Sequence, residues 1–188
     1  MIFFKFKFII RVQSTDSDEV YYERKMRMKL LPLDEDHAKV MGRALCRRGR
    51  LYMVQSASGC VTVFEGERLD IRIYGGDRSI PNTNRPRIAV MIDGKVTIKK
   101  LIEAEEETFT VIDSKEPVFA TVEIVKLSEA AFSIGSAELL GDEGATLRSV
   151  PSMPHTIGFI GDSITCGYGV DDSNTESRFA TESEKSAG

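Results

Sequence analysis

From Val40 to Leu140 the chain runs in short stretches of alternating apolar and polar residues broken by turn formers, and this spacing limits the fold more than any other feature. A half-buried strand places its apolar residues at every second position. No segment in this region keeps a helical period of about 3.6 residues for more than about ten residues. In RLDIRIYG, Leu69, Ile71 and Ile73 share one face while Asp70 and Arg72 point the other way. In RIAVMIDGKVTIKKLI, Asp93-Gly94 separates two β-prone runs, and a two-residue Asp-Gly link favours the type I′ turn whose twist suits a hairpin. TFTVI and PVFATVEIVKL continue the pattern, with Val118, Ala120, Val122 and Ile124 on one side, and SEAAFSIGSAELL is expected to close the sheet. The expected fold is mainly β: a jelly-roll-like antiparallel β-sandwich over residues 38–141.

Around this region the pattern changes. GDEGATLRSVPSMP is rich in turn formers and has two prolines, which marks 142–155 as a linker. Residues 156–188 then open with an apolar run, a Gly-Asp-Ser turn and a helix start, the way an α/β unit begins. At the other end, MIFFKFKFIIRVQ starts like a secretory leader, but Lys5 and Lys7 interrupt its apolar stretch. Phe4, Phe6 and Phe8 alternate with those lysines as in a strand. STDSDEVYYERKMRM has no clear period, so 1–37 is expected to be a poorly ordered extension, with Met28 the natural start. No stretch approaches the roughly 18 apolar residues that span a bilayer. With no convincing leader the default compartment is the cytoplasm; secretion would follow from a different native N-terminus. The oligomeric state is left open.

The 188 residues, 41% hydrophobic and 29% charged, suit a soluble globular chain. A net charge of −4 offers no electrostatic attraction for nucleic acid, and the basic cluster CRRGR at 46–50 reads as a solvated turn. Cys46, Cys60 and Cys166 show no metal-ligand spacing and cannot all pair, so neither a metal site nor a disulfide scaffold is expected. Cys166 reads as a small residue packing the first helical turn rather than a reactive thiol. Asp171 and Asp172, followed by SNTES, read as a solvated turn rather than a cation site. GYG at 167–169 lacks the remaining glycine of a dinucleotide fingerprint, and no phosphate loop follows, so no cofactor is expected.

The chemistry lies in GFIGDSITCGYGVDD, residues 158–172. A strand over 156–160 running into a glycine-permitted turn and a helix starting near Ser163 would present the Ser163 hydroxyl in a crevice lined by free backbone N–H groups. Those donors and the helix dipole stabilise the oxyanion formed when a serine attacks an ester carbonyl. Gly161 permits the turn, and Asp162 holds it by bonding nearby backbone N–H groups.

IGFIGDSITCGYGV resembles the first sequence block of the SGNH (GDSL-type) hydrolases, and in its extended form the carbohydrate esterases of family 2, which remove acetyl groups from plant polysaccharides. RFATESEKSAG resembles the segment after the serine block. GRALCRRGRLYMVQSASGCVTVFEGERLDIRIYGG, RPRIAVMIDG and EIVKLSEAAFSIGSAELL resemble that family's N-terminal β-sandwich. The resemblance implies an acetyl esterase acting on polysaccharide, with Ser163 as nucleophile and its backbone N–H in the oxyanion hole. It further implies that a glycine and an asparagine from later blocks complete that hole, and that a histidine near the C-terminus is the base. No histidine follows Ser163. His155 lies about eight residues upstream, beyond hydrogen-bond reach at about 3.3 Å per strand residue. His37, in LDEDHAK, matches no base motif. The expectation is therefore a truncated esterase: the whole sandwich plus the first strand and turn of the catalytic domain, with little turnover of its own. The alternative is a non-catalytic sandwich with a carbohydrate-binding or structural role. The partner in either case is a polysaccharide or oligosaccharide, acetylated for the esterase, with neither nucleic acid nor membrane.

Overall fold

The computed structural model describes residues 27–77, 79–81, 84–128, 134–151, 154–155 and 160–162. Ten strands follow in order: β1 (Lys29–Leu31), β2 (Lys39–Met41), β3 (Ala44–Arg47), β4 (Arg50–Met53), β5 (Gly59–Tyr74), β6 (Arg87–Ile92), β7 (Lys95–Leu101), β8 (Glu106–Lys126), β9 (Gly135–Gly141) and β10 (Thr146–Ser149). Every pairing is antiparallel. No α-helix occurs among the described residues, so none there is long and apolar enough to cross a membrane.

The two longest strands serve both layers. The first half of β5, up to Gly66, pairs with the second half of β8 on one edge and with β2 and β10 on the other. After register shifts between Gly66 and Arg68 and between Leu69 and Asp70, its second half pairs with the first half of β8 and with β9. β6 and β7 extend the first layer beyond β8, whereas β4, β1 and β3 extend the second beyond β9. Bulges bend and twist a strand, which is how one sheet supplies two facing layers. The layers touch across the core: a Cβ on Gly135 of β9 would stand 3.4 Å from Ile88 Cδ1 of β6, strands with no mutual pairing. Phe64, Val122 and Ile124 from one layer join Leu69, Ile71, Leu139 and Met53 from the other in a single buried cluster.

The alternation expected in the sequence holds where it was clearest. Leu69, Ile71 and Ile73 are buried, as are Ala120, Val122 and Ile124, while Val118 is half-buried. Asp93 and Gly94 link β6 to β7 with φ of 51° and 74°, the two positive values of a type I′ turn. CRRGR forms another tight turn: Arg48 and Gly49, at φ 53° and 76°, join β3 to β4. TFTVI and PVFATVEIVKL, which continue the pattern, both lie in one strand, β8, in which residues 114–117 stand opposite the single Glu67 of β5. One expectation is corrected. SEAAFSIGSAELL does not close the sheet; its strand, β9, is interior, with β5 on one edge and β4 and β1 on the other. Its small residues Gly135, Ser136 and Ala137 fit that crowded position. Strands also occur outside the 38–141 stretch, since β1 pairs with β9 and β10 pairs with β5.

Candidate functional site

Strand geometry builds a polar network on the outward face of the second layer. Because Ala137 and Leu139 point into the core, Glu138 must point out, directly opposite Arg72 of β5. Arg50 projects from β4 on the same face. Its Nε and Nη2 donate to Glu138 Oε1 at 2.9 and 2.7 Å. Tyr74 OH donates to Glu138 Oε2 at 2.8 Å, and Arg72 Nη1 reaches the same oxygen at 3.4 Å. Arg72 Nε also lies 3.2 Å from Glu106 Oε1 on β8. The Arg50 guanidinium stacks 3.9 Å above the Tyr74 ring. Burial pushes the Glu138 carboxyl upward, but the Arg50 and Tyr74 hydrogen bonds and the two guanidinium charges outweigh it and hold the group below its ordinary value. Burial and the bond to Glu138 raise the Tyr74 phenol. The result is a rigid, charge-compensated platform across β4, β9, β5 and β8.

A second feature forms where β5 changes layers. The bulge after Gly66 frees the backbone N–H groups of Glu67 and Arg68 from the ladder, and Asp142 Oδ1 accepts both at 2.9 Å. Gly66 permits this close approach, since a Cβ there would lie 2.8 Å from Asp142 Oδ1 and 2.7 Å from Phe64 Cζ. The bulge, Pro117 of β8 and the turn at 142–144 enclose a cleft of ≈ 370 Å³. Glu65, Glu67, Asp142 and Glu143 line it. Beside it Phe119, paired across strands with Glu65, is 62% exposed.

The structure brings together none of the catalytic residues expected from the sequence. Ser163, Cys166, Asp171 and Asp172 lie outside the described residues, as do 156–159 of the expected strand. Gly161 and Asp162 are exposed. His155 is exposed as well. His37 is tied to Asp34, Nδ1 to Oδ1 at 2.6 Å, and its carbonyl accepts the Thr62 hydroxyl at 2.6 Å, which ties the 34–38 turn to β5. The His37 bond holds the Asp34 carboxyl below its ordinary value. Cys46 and Cys60 are free thiols; burial pushes Cys46 up to about 11 and raises Cys60 further. Among the described residues no group of three or more His, Cys, Asp and Glu is placed to hold a metal ion.

The sequence reading overlooked Arg50, Arg72, Tyr74, Glu138 and Phe119. A signal existed for Glu138, a lone charge inside the apolar run SAELL, and for Phe119, an aromatic out of step with the buried Ala120 and Val122.

The fold and these outward clusters define an antiparallel β-sandwich domain. Residues 40–154 match the family model described as carbohydrate esterase 2 N-terminal, and the chain belongs to that family. Among solved structures it resembles an acetyl xylan esterase from the rumen bacterium Butyrivibrio proteoclasticus, at 20% identity and TM-score 0.60, covering 76% of this chain and 39% of that one. It resembles a family two carbohydrate esterase from Cellvibrio japonicus at 19% identity and TM-score 0.58, covering 86% and 46%. A family two carbohydrate esterase from Clostridium thermocellum in complex with cellohexaose is similar at 21% identity and TM-score 0.57, covering 79% and 44%. The chain thus spans less than half the length of each of these three proteins. Comparison with curated protein sequences gave no match.

Proposed function

We propose that the sandwich is the N-terminal domain of a carbohydrate O-deacetylase and that Ser163 is its nucleophile, acting on an acetylated polysaccharide. The observation that carries this reading is the order along the chain: the family match ends at residue 154, and the Gly161-Asp162-Ser163 block follows at once. In this reading the sandwich runs from β1 to β10, residues 29–149, while 150–155 lead out of it and 156–188 begin the catalytic domain. The Ser163 hydroxyl attacks the acetyl carbonyl, its own backbone N–H helps to stabilise the oxyanion, and the sugar hydroxyl leaves. Residues 164–188 contain no histidine, and His37 is engaged with Asp34, so in this reading neither furnishes the base. A serine without its base retains only what the oxyanion hole and binding provide.

The test is acetyl release from acetylated xylan and from a small acetyl ester. It compares the 188-residue chain, a version continued to the length of the related esterases, and that longer version carrying Ser163→Ala. Turnover is expected only from the longer wild-type version. Robust Ser163-dependent turnover by the short chain would overturn the incomplete-machinery reading. Undiminished turnover after Ser163→Ala would overturn the nucleophile.

A further inference from the structure

We propose that residues 2–10 dock as a further strand along the first half of β8, closing the side of the sandwich between its two layers. β8 pairs with β5 from Glu106 to Val125, but β6 takes its other edge only from Val122 to Lys126. Among the described residues, 106–113 have no strand on that edge. Every second residue of such an edge turns its N–H and C=O away from the ladder, a template for further pairing. The side chains show the same gap. Val122 and Ile124 are fully buried where β6 flanks them, whereas Phe109 and Val111, packed on the core from the same strand, stay half-buried. Ile98 of β7, the edge strand of the other layer, is half-buried too. Lys100 of β7 donates to Glu107 Oε2 at 2.6 Å and stands 5.4 Å from the Phe109 ring centroid, so the two layer edges meet here. An apolar seam runs between them.

The segment that fits this seam belongs to the chain itself and lies outside the described residues. MIFFKFKFII places Ile2, Phe4, Phe6, Phe8 and Ile10 at every second position with Lys5 and Lys7 between them, the pattern of a strand with one apolar face. Neither the ten strands nor the esterase chemistry uses it. Docked on β8, its apolar face covers Phe109, Val111 and Ile98, and its lysines share the outward face with Glu106, whose side chain is 49% exposed. A lone strand of this composition is marginal in water, and pairing gives both its backbone and its phenylalanines a partner.

Charge selects this edge over the others. β3 carries Arg47, β2 carries Lys39, β10 carries Arg148 and β7 carries three lysines, so each of those edges repels Lys5 and Lys7. The first half of β8 begins with Glu106 and Glu107 and follows Glu103 and Glu105 in the preceding turn. It is the acidic edge. Reach is sufficient as well: residues 11–27 extend to roughly 56 Å at about 3.3 Å per residue. From β1 the path crosses β9, β5 and β8, four strand spacings or roughly 20 Å.

The experiment is hydrogen–deuterium exchange read by mass spectrometry on the 188-residue chain, on a variant lacking residues 2–26 and on Phe6→Asp, with β9 as the internal reference. Amides of 106–113 should exchange about tenfold faster in both variants while β9 keeps its rate. Lys5→Glu combined with Lys7→Glu, which keeps the apolar face, should also raise the exchange at 106–113. In the full chain a zero-length carbodiimide cross-link should join Lys5 or Lys7 to a carboxylate of the 103–107 run within one monomer. The docked strand is overturned if the deletion leaves the 106–113 rate unchanged, which upholds a poorly ordered extension, or if no such link forms. Links found only between two chains assign the edge to a second copy and overturn docking within the chain. Should the deletion loosen β9 as well, Phe6→Asp and the cross-link decide between loss of docking and loss of the fold.

Discussion

Changing Glu138 to glutamine removes one charge from the outward network while keeping its shape. In the wild type the carboxylate takes Arg50 Nε and Nη2 on one oxygen and Tyr74 OH and Arg72 Nη1 on the other. Glutamine turns an NH₂ group toward one of these donor sets and takes the carboxylate partner from Arg50, while Arg72 keeps Glu106. An exposed ion pair contributes about 0–1 kcal/mol, whereas breaking a fully buried one costs about 3–5 kcal/mol. The Glu138 side chain is 11% exposed and those of Arg50 and Arg72 are 29% and 33%, so the site lies between these limits. A loss of about 2 kcal/mol follows, discounted from the buried case for solvent screening at the arginines. With a urea slope of about 2 kcal/mol/M, the unfolding midpoint should fall by about 1 M. The chain has no tryptophan, so far-ultraviolet circular dichroism is the signal of choice. The pH dependence supplies a second check. The folded Glu138 carboxyl lies below its ordinary value of 4.5, so its contribution is complete above about pH 4.5 and disappears as pH falls through the lower folded value. The gap between wild type and Glu138→Gln should therefore close in acid. A midpoint shift under about 0.25 M at pH 7, the scale of an exposed pair, would refute the reasoning.

Other substitutions test the packing. A Cβ on Gly59 would stand 1.9 Å from the Ile124 carbonyl oxygen, a backbone atom that moves only if β5 and β8 separate, so Gly59→Ala should cost about 3 kcal/mol or more in urea unfolding. Gly94→Ala meets nothing within 4 Å and bears only the strain of its φ of +74°, about 1–2 kcal/mol; equal losses for the two variants would contradict the close approach at Gly59. Burial, with the Asp34 and Glu35 charges, pushes the Cys46 thiol up to about 11, and burial raises Cys60 further. In a Cys166→Ser background at pH 8, an aromatic disulfide reagent should therefore label both slowly when folded and rapidly in urea. Fast labelling of the folded chain would count against those environments.

Strand alternation and turn chemistry are local, and this is why the sandwich could be read from the sequence. Ile71 between Asp70 and Arg72 states its burial within three residues, and Asp93-Gly94 states its turn within two. The network could not be read in this way. Arg50, Arg72 and Glu138 meet because β4, β9 and β5 lie side by side, and nothing in SAELL says which strand will flank it. The same ignorance of register made β9 look like the end of the sheet when it is interior. Residues 114–117 interrupt the alternation between TFTVI and PVFATVEIVKL, yet β5 continues across that interruption and holds β8 together as one strand.

That break in the pattern shapes the surface. A regular ladder satisfies its own backbone and offers a ligand only side chains standing on a pleated surface. Where β5 slips register, Glu67 and Arg68 turn their N–H groups toward Asp142, and the extra residues of β8 move Pro117 to the other side of the opening. The cleft is thus a consequence of bending one sheet into two layers, and it occurs at the corner where bending must happen. The requirement that makes the sandwich also places four carboxylates and an exposed phenylalanine together on its outward side. A change that straightened the bulge would therefore act on core and cleft at once.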